Sequence, residues 1–74
     1  MEKITFELTA DYIELHKLLK YLGLAENGGA AKARVAAGEV SVDGAVELRK
    51  ACKIRAGQVV ELEEAEITIL PKPE

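Results

Sequence analysis

Residues 28–44, GGAAKARVAAGEVSVDG, contain the signals that decide the fold of this chain. The spacing predicts a short, alanine-rich helix over residues 28–37, opened by a pair of glycines. Gly38 ends this helix, because a residue without a Cβ atom readily adopts the left-handed conformation that follows helix C-termini. Ala31 and Val35 lie four residues apart on one helix face, and we expect them to contact a neighbouring helix.

The second half of this stretch predicts a β-hairpin. In residues 40–42 two valines flank a serine, and this alternation is typical of a strand. Asp43 and Gly44 form a strong short-range signal for a type I′ turn, whose two central residues need positive φ angles. Residues 45–48 then form the return strand, and a basic irregular segment, RKACKIR, follows at 49–55.

The region before the central stretch predicts a strand and a leucine-rich helix. Apolar and polar residues alternate over residues 3–8, as in a half-buried strand. Asp11 and Glu14 stand three residues apart, as in a capping box, and predict the start of the first helix. Gly23 ends that helix. Its apolar stripe has the i, i+3, i+4, i+7 spacing of one helix face and consists of Leu15, Leu18, Leu19 and Leu22.

The predicted fold class is α+β, with two packed short helices against a small, mainly antiparallel sheet that includes an N-terminal strand. Two further strands are predicted at residues 59–62 and 66–70. The tail at residues 71–74 is expected to fray. We expect the 74 residues to form one domain, whose core spans residues 11–62.

Length and composition exclude several classes of protein. A chain of 74 residues builds one small hydrophobic core, too little for a two-domain enzyme with an enclosed cleft. No apolar run is long enough to span a bilayer, and the start MEKITFELTA lacks the apolar stretch of a signal peptide. The single cysteine cannot form an intrachain disulfide, which favours a reducing compartment. We therefore expect a cytoplasmic monomer without a membrane partner.

The charges are arranged acid–base–acid along the chain, although the net charge is −3. Residues 12–55 contain eight of the ten Lys and Arg residues but five of the thirteen Asp and Glu residues. Because the acidic residues concentrate at the two ends, the middle of the chain can carry a positive field. The net charge therefore does not exclude a nucleic-acid partner.

The residues that carry chemistry in enzymes do not form a catalytic constellation. His16 lies on the first helix, where a partly solvated side chain is more common than a proton carrier. Cys52 stands between Lys50 and Lys53, and nearby cations can lower a thiol pKa, but a small core residue is the better interpretation. Metal ligands are not clustered, and the glycines lack the phosphate-loop spacing. We expect no enzymatic activity, no metal and no cofactor.

The basic residues are the remaining functional signal. The candidate RNA contacts lie on both helices, at the start of the second helix and after the hairpin, and are Lys17, Lys20, Gly28, Gly29, Lys32, Arg49, Lys50, Lys53 and Arg55. The two glycines contribute open amides at a helix start, which can hold a phosphate. Aromatic residues form 4% of the chain, which weakens base stacking and favours recognition of phosphates and RNA shape. The alternative is that these side chains are ordinary solvated charges.

The order of these elements resembles the RNA-binding domain first defined in small-subunit ribosomal protein S4, also called the alpha-L motif. The matching text is LHKLLKYLGLAENGGAAKARVAAGEVSVDG at 15–44 and ELRKACKIRAGQVVEL at 47–62. The blocks GEVSVDG and AGQVVEL are specific when they occur together. The ENGGAAK link and the RKACKI bend are most similar to the small standalone bacterial members of this family.

The resemblance implies binding of structured RNA without catalysis. Ribosomal RNA or the ribosome is the implied partner, in ribosome assembly or translation. The implied RNA face combines the start of the second helix with the basic bend and is flanked by the first helix. Its side chains are Lys32, Arg49, Lys50, Lys53, Lys17 and Lys20.

The chain departs from the family pattern at several positions. Gly28 and Gly29 stand where many members have Ser-Arg, so one cation is missing there. Arg34 occupies a usually apolar position and is expected to snorkel, and Gln58 replaces the usual Asp in a turn. The acidic segment at 61–66 is unfavourable for RNA.

These departures leave a second hypothesis open. The chain could be a protein-interaction adaptor module on the same fold, with a decayed RNA face. A cluster of cations on one face would favour RNA binding. Carboxylates that neutralise the cations pairwise would favour the adaptor.

Overall fold

The computed structural model describes residues 1–73. This part of the chain contains two helices and seven short strands. In chain order they are β1 Glu2–Glu7, β2 Ile13–Glu14, α1 Leu15–Tyr21, α2 Gly28–Ala36, β3 Ser41–Val42, β4 Ala45–Val46, β5 Lys53–Ile54, β6 Val59–Glu61 and β7 Ala65–Leu70. The first and last strands differ by one residue from the predicted 3–8 and 66–70. Residues 71–73 have no regular secondary structure, and position 74 of the predicted tail lies outside the described residues.

The strands form a five-stranded sheet of order β1-β7-β6-β3-β4 and a separate ribbon of β2 and β5. The N-terminal strand β1 runs parallel to β7, and the other neighbouring pairs are antiparallel. A parallel pair needs a long crossover connection, and here the chain between the two strands contains both helices. The predicted α+β class is confirmed, with one parallel pair in a mainly antiparallel sheet.

The core lies between the helices and the inner face of the sheet. Every second residue of β7 is buried, as the alternation of a strand requires. Three of the four predicted stripe leucines of α1 are fully buried, and Leu22 packs at the edge of the core. Ala31 and Val35 of α2 are also fully buried. Each buried leucine contributes about 2 kcal/mol relative to an exposed one.

The hairpin after α2 has the predicted geometry. Gly38 has a φ of +78° and ends the helix in the left-handed region. Asp43 and Gly44 have φ angles of 51° and 86°, as a type I′ turn requires. The return strand is two residues shorter than predicted, and beyond it the Glu47 amide donates to the Val40 carbonyl at 2.9 Å. The central stretch therefore folds as its glycines indicate.

The prediction that a capping box starts the first helix is wrong. The helix begins at Leu15, its N-cap is Glu14, and no side chain caps it. Asp11 precedes the strand β2 and takes no part in the helix start. Ile13 and Glu14, the second member of the proposed box, pair β2 with β5 instead.

The basic bend at 49–55 is also more ordered than predicted, because part of it is the strand β5. The Leu15 amide donates to the Cys52 carbonyl at 2.9 Å, and the His16 amide donates to the Lys50 carbonyl at 3.0 Å. The first amides of an α-helix have no partner inside the helix. Backbone carbonyls from a distant segment thus replace the local cap and fix the bend against α1.

Candidate nucleic-acid interface

The docked bend places cations from distant parts of the sequence beside the start of α1. In the β2–β5 ribbon, Glu14 lies directly opposite Lys53, and Ile13 lies opposite Ile54. Lys50 is held at the first turn of α1 through its own carbonyl. The ribbon and the two backbone bonds therefore determine where the bend presents its charged side chains.

His16 anchors the bend. Its ring nitrogen Nδ1 lies 2.8 Å from the Lys50 carbonyl oxygen, and a protonated Nδ1 donates to it. The same carbonyl accepts the His16 backbone amide. His16 is half-buried, and these contacts make it a structural residue rather than a proton carrier.

Lys17 and Lys32 both act on the carboxylate of Glu14. The Lys17 Nζ lies 2.9 Å from Glu14 Oε1, and this hydrogen bond is the main cause that holds the Glu14 pKa below its ordinary value. The positive charge of Lys32 lowers this pKa further. Lys32 of α2 therefore contributes its field to the same end of the molecule as Lys17 of α1. Lys20 is exposed one helical turn after Lys17.

Arg49 is held by the carboxylate of Glu47, two residues earlier in the chain. Its Nε and Nη2 donate to the two oxygens of Glu47 at 3.0 Å and 3.1 Å, and its amide donates to Glu47 at 2.9 Å. These bonds lower the pKa of Glu47 to about 2. Arg49 is thus preorganised within the bend, although its side chain is 78% exposed.

Five of the predicted contacts form no ion pair with any of residues 1–73. All five are exposed, and we call them the basic face: Lys20, Lys32, Lys50, Lys53 and Arg55. Of the seven predicted basic contacts, two are therefore neutralised and five are not. Pairwise neutralisation by carboxylates, the pattern that would favour the adaptor, therefore accounts for Lys17 and Arg49 but not for the other five.

Arg34 is not available to a ligand, because its guanidinium is already bonded within the protein. Its guanidinium donates to both oxygens of Glu64 at 2.9 Å and 3.0 Å, to Glu39 at 3.0 Å, and to the Leu24 carbonyl at 2.9 Å. The pKa of Arg34 is raised, first by the hydrogen bonds with Glu64. Arg34 was expected to snorkel, with its charged group in water; instead, two carboxylates and a carbonyl hold that group.

The start of α2 offers two amides. Asn27 caps this helix, and its Oδ1 accepts the Ala30 amide at 2.8 Å. The sequence analysis did not single out this cap, although an asparagine before a helix is a common signal. Gly28 and Gly29, the predicted phosphate contacts, precede the capped amide, and Lys32 follows one turn later.

Gln58 does more than complete a turn. Its Oε1 accepts the Arg55 amide at 2.8 Å, and its Nε2 donates to Asp43 Oδ2 at 3.3 Å. Asp43 also accepts the Val59 amide at 2.9 Å. Gln58 therefore ties the hairpin turn to the end of the basic bend.

Cys52 has no sign of a reactive thiol. Its pKa is raised, first by burial and then by Glu47, so the alternative in which nearby lysines lower the pKa is wrong. The side chain is half-buried and packs against the core. This placement agrees with a structural residue.

Tyr12 is the feature of this surface that the sequence analysis missed. The Lys53 Nζ lies 5.0 Å from the centre of its ring, and the Arg55 Cζ lies 5.4 Å from the same point. The available signal was the spacing of the two cations, which lie two residues apart and so share one face of a strand.

Comparison with known proteins assigns the family. Residues 6–70 match the model of the S4 domain, and the chain belongs to this family. YbcJ of Escherichia coli (strain K12) and YbcJ of Shigella flexneri are each 57% identical over 49 residues, which is 66% of this chain and 70% of each relative. The expected similarity to small standalone members, of the YbcJ type, is confirmed.

A solved structure supports the same assignment. The solution structure of YbcJ from E. coli contains an alpha-L motif involved in RNA binding. It superimposes with a TM-score of 0.68 at 46% identity, over 89% of this chain and 85% of that one. The alpha-L fold is thus confirmed. Membership in this family also confirms that the chain is not an enzyme.

Proposed function

We propose that the whole chain acts as a single domain that binds structured RNA through the basic face. The observation that carries this proposal is the set of five exposed cations that form no ion pair within residues 1–73. They come from α1, α2 and the bend, which lie far apart in the sequence. The RNA-binding motif of YbcJ supports the same function for its relative.

Phosphate neutralisation is the proposed source of affinity. Each Lys or Arg that contacts a phosphate releases counterions from the RNA, so the affinity falls steeply as salt increases. The amides of Gly28 and Gly29 add hydrogen bonds to a phosphate at the start of α2. The helices and the hairpin then match the shape of a folded RNA, which is ribosomal RNA in this proposal.

Lys17 and Arg49 have a secondary part in this proposal. Each already contacts a carboxylate, Glu14 and Glu47 respectively. An RNA phosphate must therefore compete with that carboxylate for the cation. We expect these two side chains to contribute less than the five residues of the basic face.

The test compares two double variants that lose the same charge. Lys32→Ala/Lys50→Ala removes one cation from α2 and one from the bend. Lys3→Ala/Lys72→Ala removes two cations outside the basic face. Binding to ribosomal RNA fragments and to a structured hairpin is measured at several salt concentrations. The first variant should flatten the slope of log affinity against log salt by about 2, because each lost phosphate contact removes about 1.

The control variant should keep the slope of the original chain. Equal losses in both variants would show that only net charge matters and would contradict the basic face. If the original chain binds no structured RNA at low salt, RNA binding itself is contradicted.

One observation supports the adaptor hypothesis, the exposure of two apolar side chains after the hairpin turn. Val46 and Leu48 are 60% and 61% exposed, and both approach Gly38 at the end of α2. Exposed apolar side chains are common on protein–protein contact surfaces. A chain that binds no RNA would therefore be tested next for protein partners at this position.

A further inference from the structure

The exposed ring of Tyr12 lies beside two cations of the basic face, Lys53 and Arg55. The side chain is 39% exposed and immediately precedes β2. Lys53 and Arg55 both lie close enough to the ring centre for cation–π contacts, at 5.0 Å and 5.4 Å. Aromatic side chains that stack bases, together with cations that contact the backbone, are what proteins combine to bind unpaired nucleic acid.

The register of the β2–β5 ribbon creates this arrangement. Ile13 lies opposite Ile54, and Ile54 is fully buried. Side chains alternate along each strand, so the residues on either side of these isoleucines point away from the core. Tyr12 and Arg55 are therefore cross-strand neighbours, and Lys53 is the diagonal neighbour of Tyr12 on the same outward face.

The surroundings leave the two cations available. Neither Lys53 nor Arg55 forms an ion pair within the described part of the chain. The nearest carboxylate in the ribbon, Glu14, is bonded to Lys17 at 2.9 Å. Cation–π contacts at exposed sites are weak, so a ligand that offers both a planar base and phosphates can exchange them.

We propose that Tyr12, Lys53 and Arg55 form a binding site for one unpaired nucleobase of a structured RNA. The base stacks on the ring of Tyr12. Lys53 and Arg55 move from the ring to the phosphates on either side of that nucleotide. This inference rests on the proposed RNA binding and adds a preference for RNA with an extrahelical nucleotide next to a duplex.

The test uses two RNA hairpins with the same stem, one fully paired and one with a single bulged uridine. The original chain should bind the bulged hairpin about tenfold more tightly, as expected for one stacked base. Tyr12→Phe keeps the aromatic ring and should keep this preference. Tyr12→Leu removes the ring and should abolish the preference while binding to the paired hairpin remains.

Tyr21→Leu is the matched control, because Tyr21 is the other exposed tyrosine and its ring packs against Phe6 instead of the cations. It should leave the preference unchanged. A second readout needs no variant. A bulged 5-iodouridine, when irradiated in the complex, should crosslink to Tyr12 in the original chain, and peptide mass analysis identifies the position.

The outcomes separate this site from the proposed function. Salt-dependent binding of both hairpins with equal affinity would overturn the base site and leave RNA binding intact. A crosslink to Tyr21 rather than Tyr12 would also overturn it. Failure of the original chain to bind either hairpin at low salt would overturn both proposals.

Discussion

Arg34 and Arg55 carry the same charged group in opposite surroundings. Arg34 is 21% exposed and bonds two carboxylates and a carbonyl. Arg55 is exposed, forms no ion pair within residues 1–73, and has an aromatic ring as its neighbour. The comparison shows that the neighbouring carboxylates, and not the cation itself, decide whether an arginine stabilises the fold or remains available to a ligand.

One of the two carboxylates in the Arg34 cluster comes from a distant part of the chain. Glu64 follows β6, thirty residues after Arg34, while Glu39 lies at the end of α2. The bidentate contact with Glu64 connects α2 to the turn between β6 and β7. Arg34, Glu39 and Glu64 therefore form a structural clamp, which neutralises part of the acidic segment that is unfavourable for RNA.

The largest expected effect is on stability, when the clamp is broken. Arg34→Ala should lower the free energy of unfolding by about 2 kcal/mol, because charge-assisted bonds to two carboxylates are lost in a partly exposed site. For a domain of this size that corresponds to a melting temperature about 10 °C lower. Urea denaturation and thermal melting measure both values.

The same variant should change the RNA affinity of the folded protein less than twofold, because Arg34 is already occupied. Arg34→Lys is the control, since it keeps the charge but loses the fork that contacts both oxygens of Glu64. It should lie between Arg34→Ala and the original chain in stability. An RNA affinity that falls strongly in Arg34→Ala would contradict the division between clamp and basic face.

The elements that local residues determine could be predicted from the sequence. Gly38 and the pair Asp43 and Gly44 fix helix end and hairpin turn through their own backbone angles, and the structure has those angles. The apolar spacing of α1 likewise identified three fully buried leucines. Such signals work because each residue requires its conformation without help from distant segments.

The features that depend on distant segments could not be predicted. The capping box of Asp11 and Glu14 is a valid local signal, but carbonyls of the bend satisfy the first amides of α1 instead. The Tyr12 cluster and the partner of Arg34 also depend on strand register and on a turn far along the chain. Pairing of the two-residue strands β2 and β5 leaves almost no periodic pattern in the sequence.

A smaller effect should appear when acid titrates the clamp. The hydrogen bonds from Arg34 lower the pKa of Glu64 from its ordinary value of 4.5 to about 2. Because the pKa is depressed in the folded state, the stabilisation is complete above about pH 5 and is lost as the pH falls towards 2. Since Glu64 is half-exposed, we expect a contribution of about 1 kcal/mol or less.

The measurement is the difference in unfolding free energy between the original chain and Glu64→Gln. This difference should be largest above pH 5 and should shrink towards zero near pH 2. Glu47 titrates in the same range but is present in both proteins, so its contribution cancels. Glu63→Gln, an exposed neighbour outside the clamp, should show no such difference. A constant difference for Glu64→Gln from pH 7 to 2 would contradict the clamp.

The smallest expected effect concerns Lys17, which is paired with a carboxylate like Arg34 but exposed like Arg55. Its Nζ bonds Glu14, but the side chain is 64% exposed. Glu14→Gln should release Lys17 and increase the affinity for a structured RNA about twofold at low salt, with a slightly steeper salt dependence, because one more cation reaches the phosphates. Glu7→Gln makes the same change of net charge in β1, away from Lys17, and should have a smaller effect. Equal increases in both variants would show that Lys17 gains nothing from its release and that the paired cations, like Arg34, do not take part in binding.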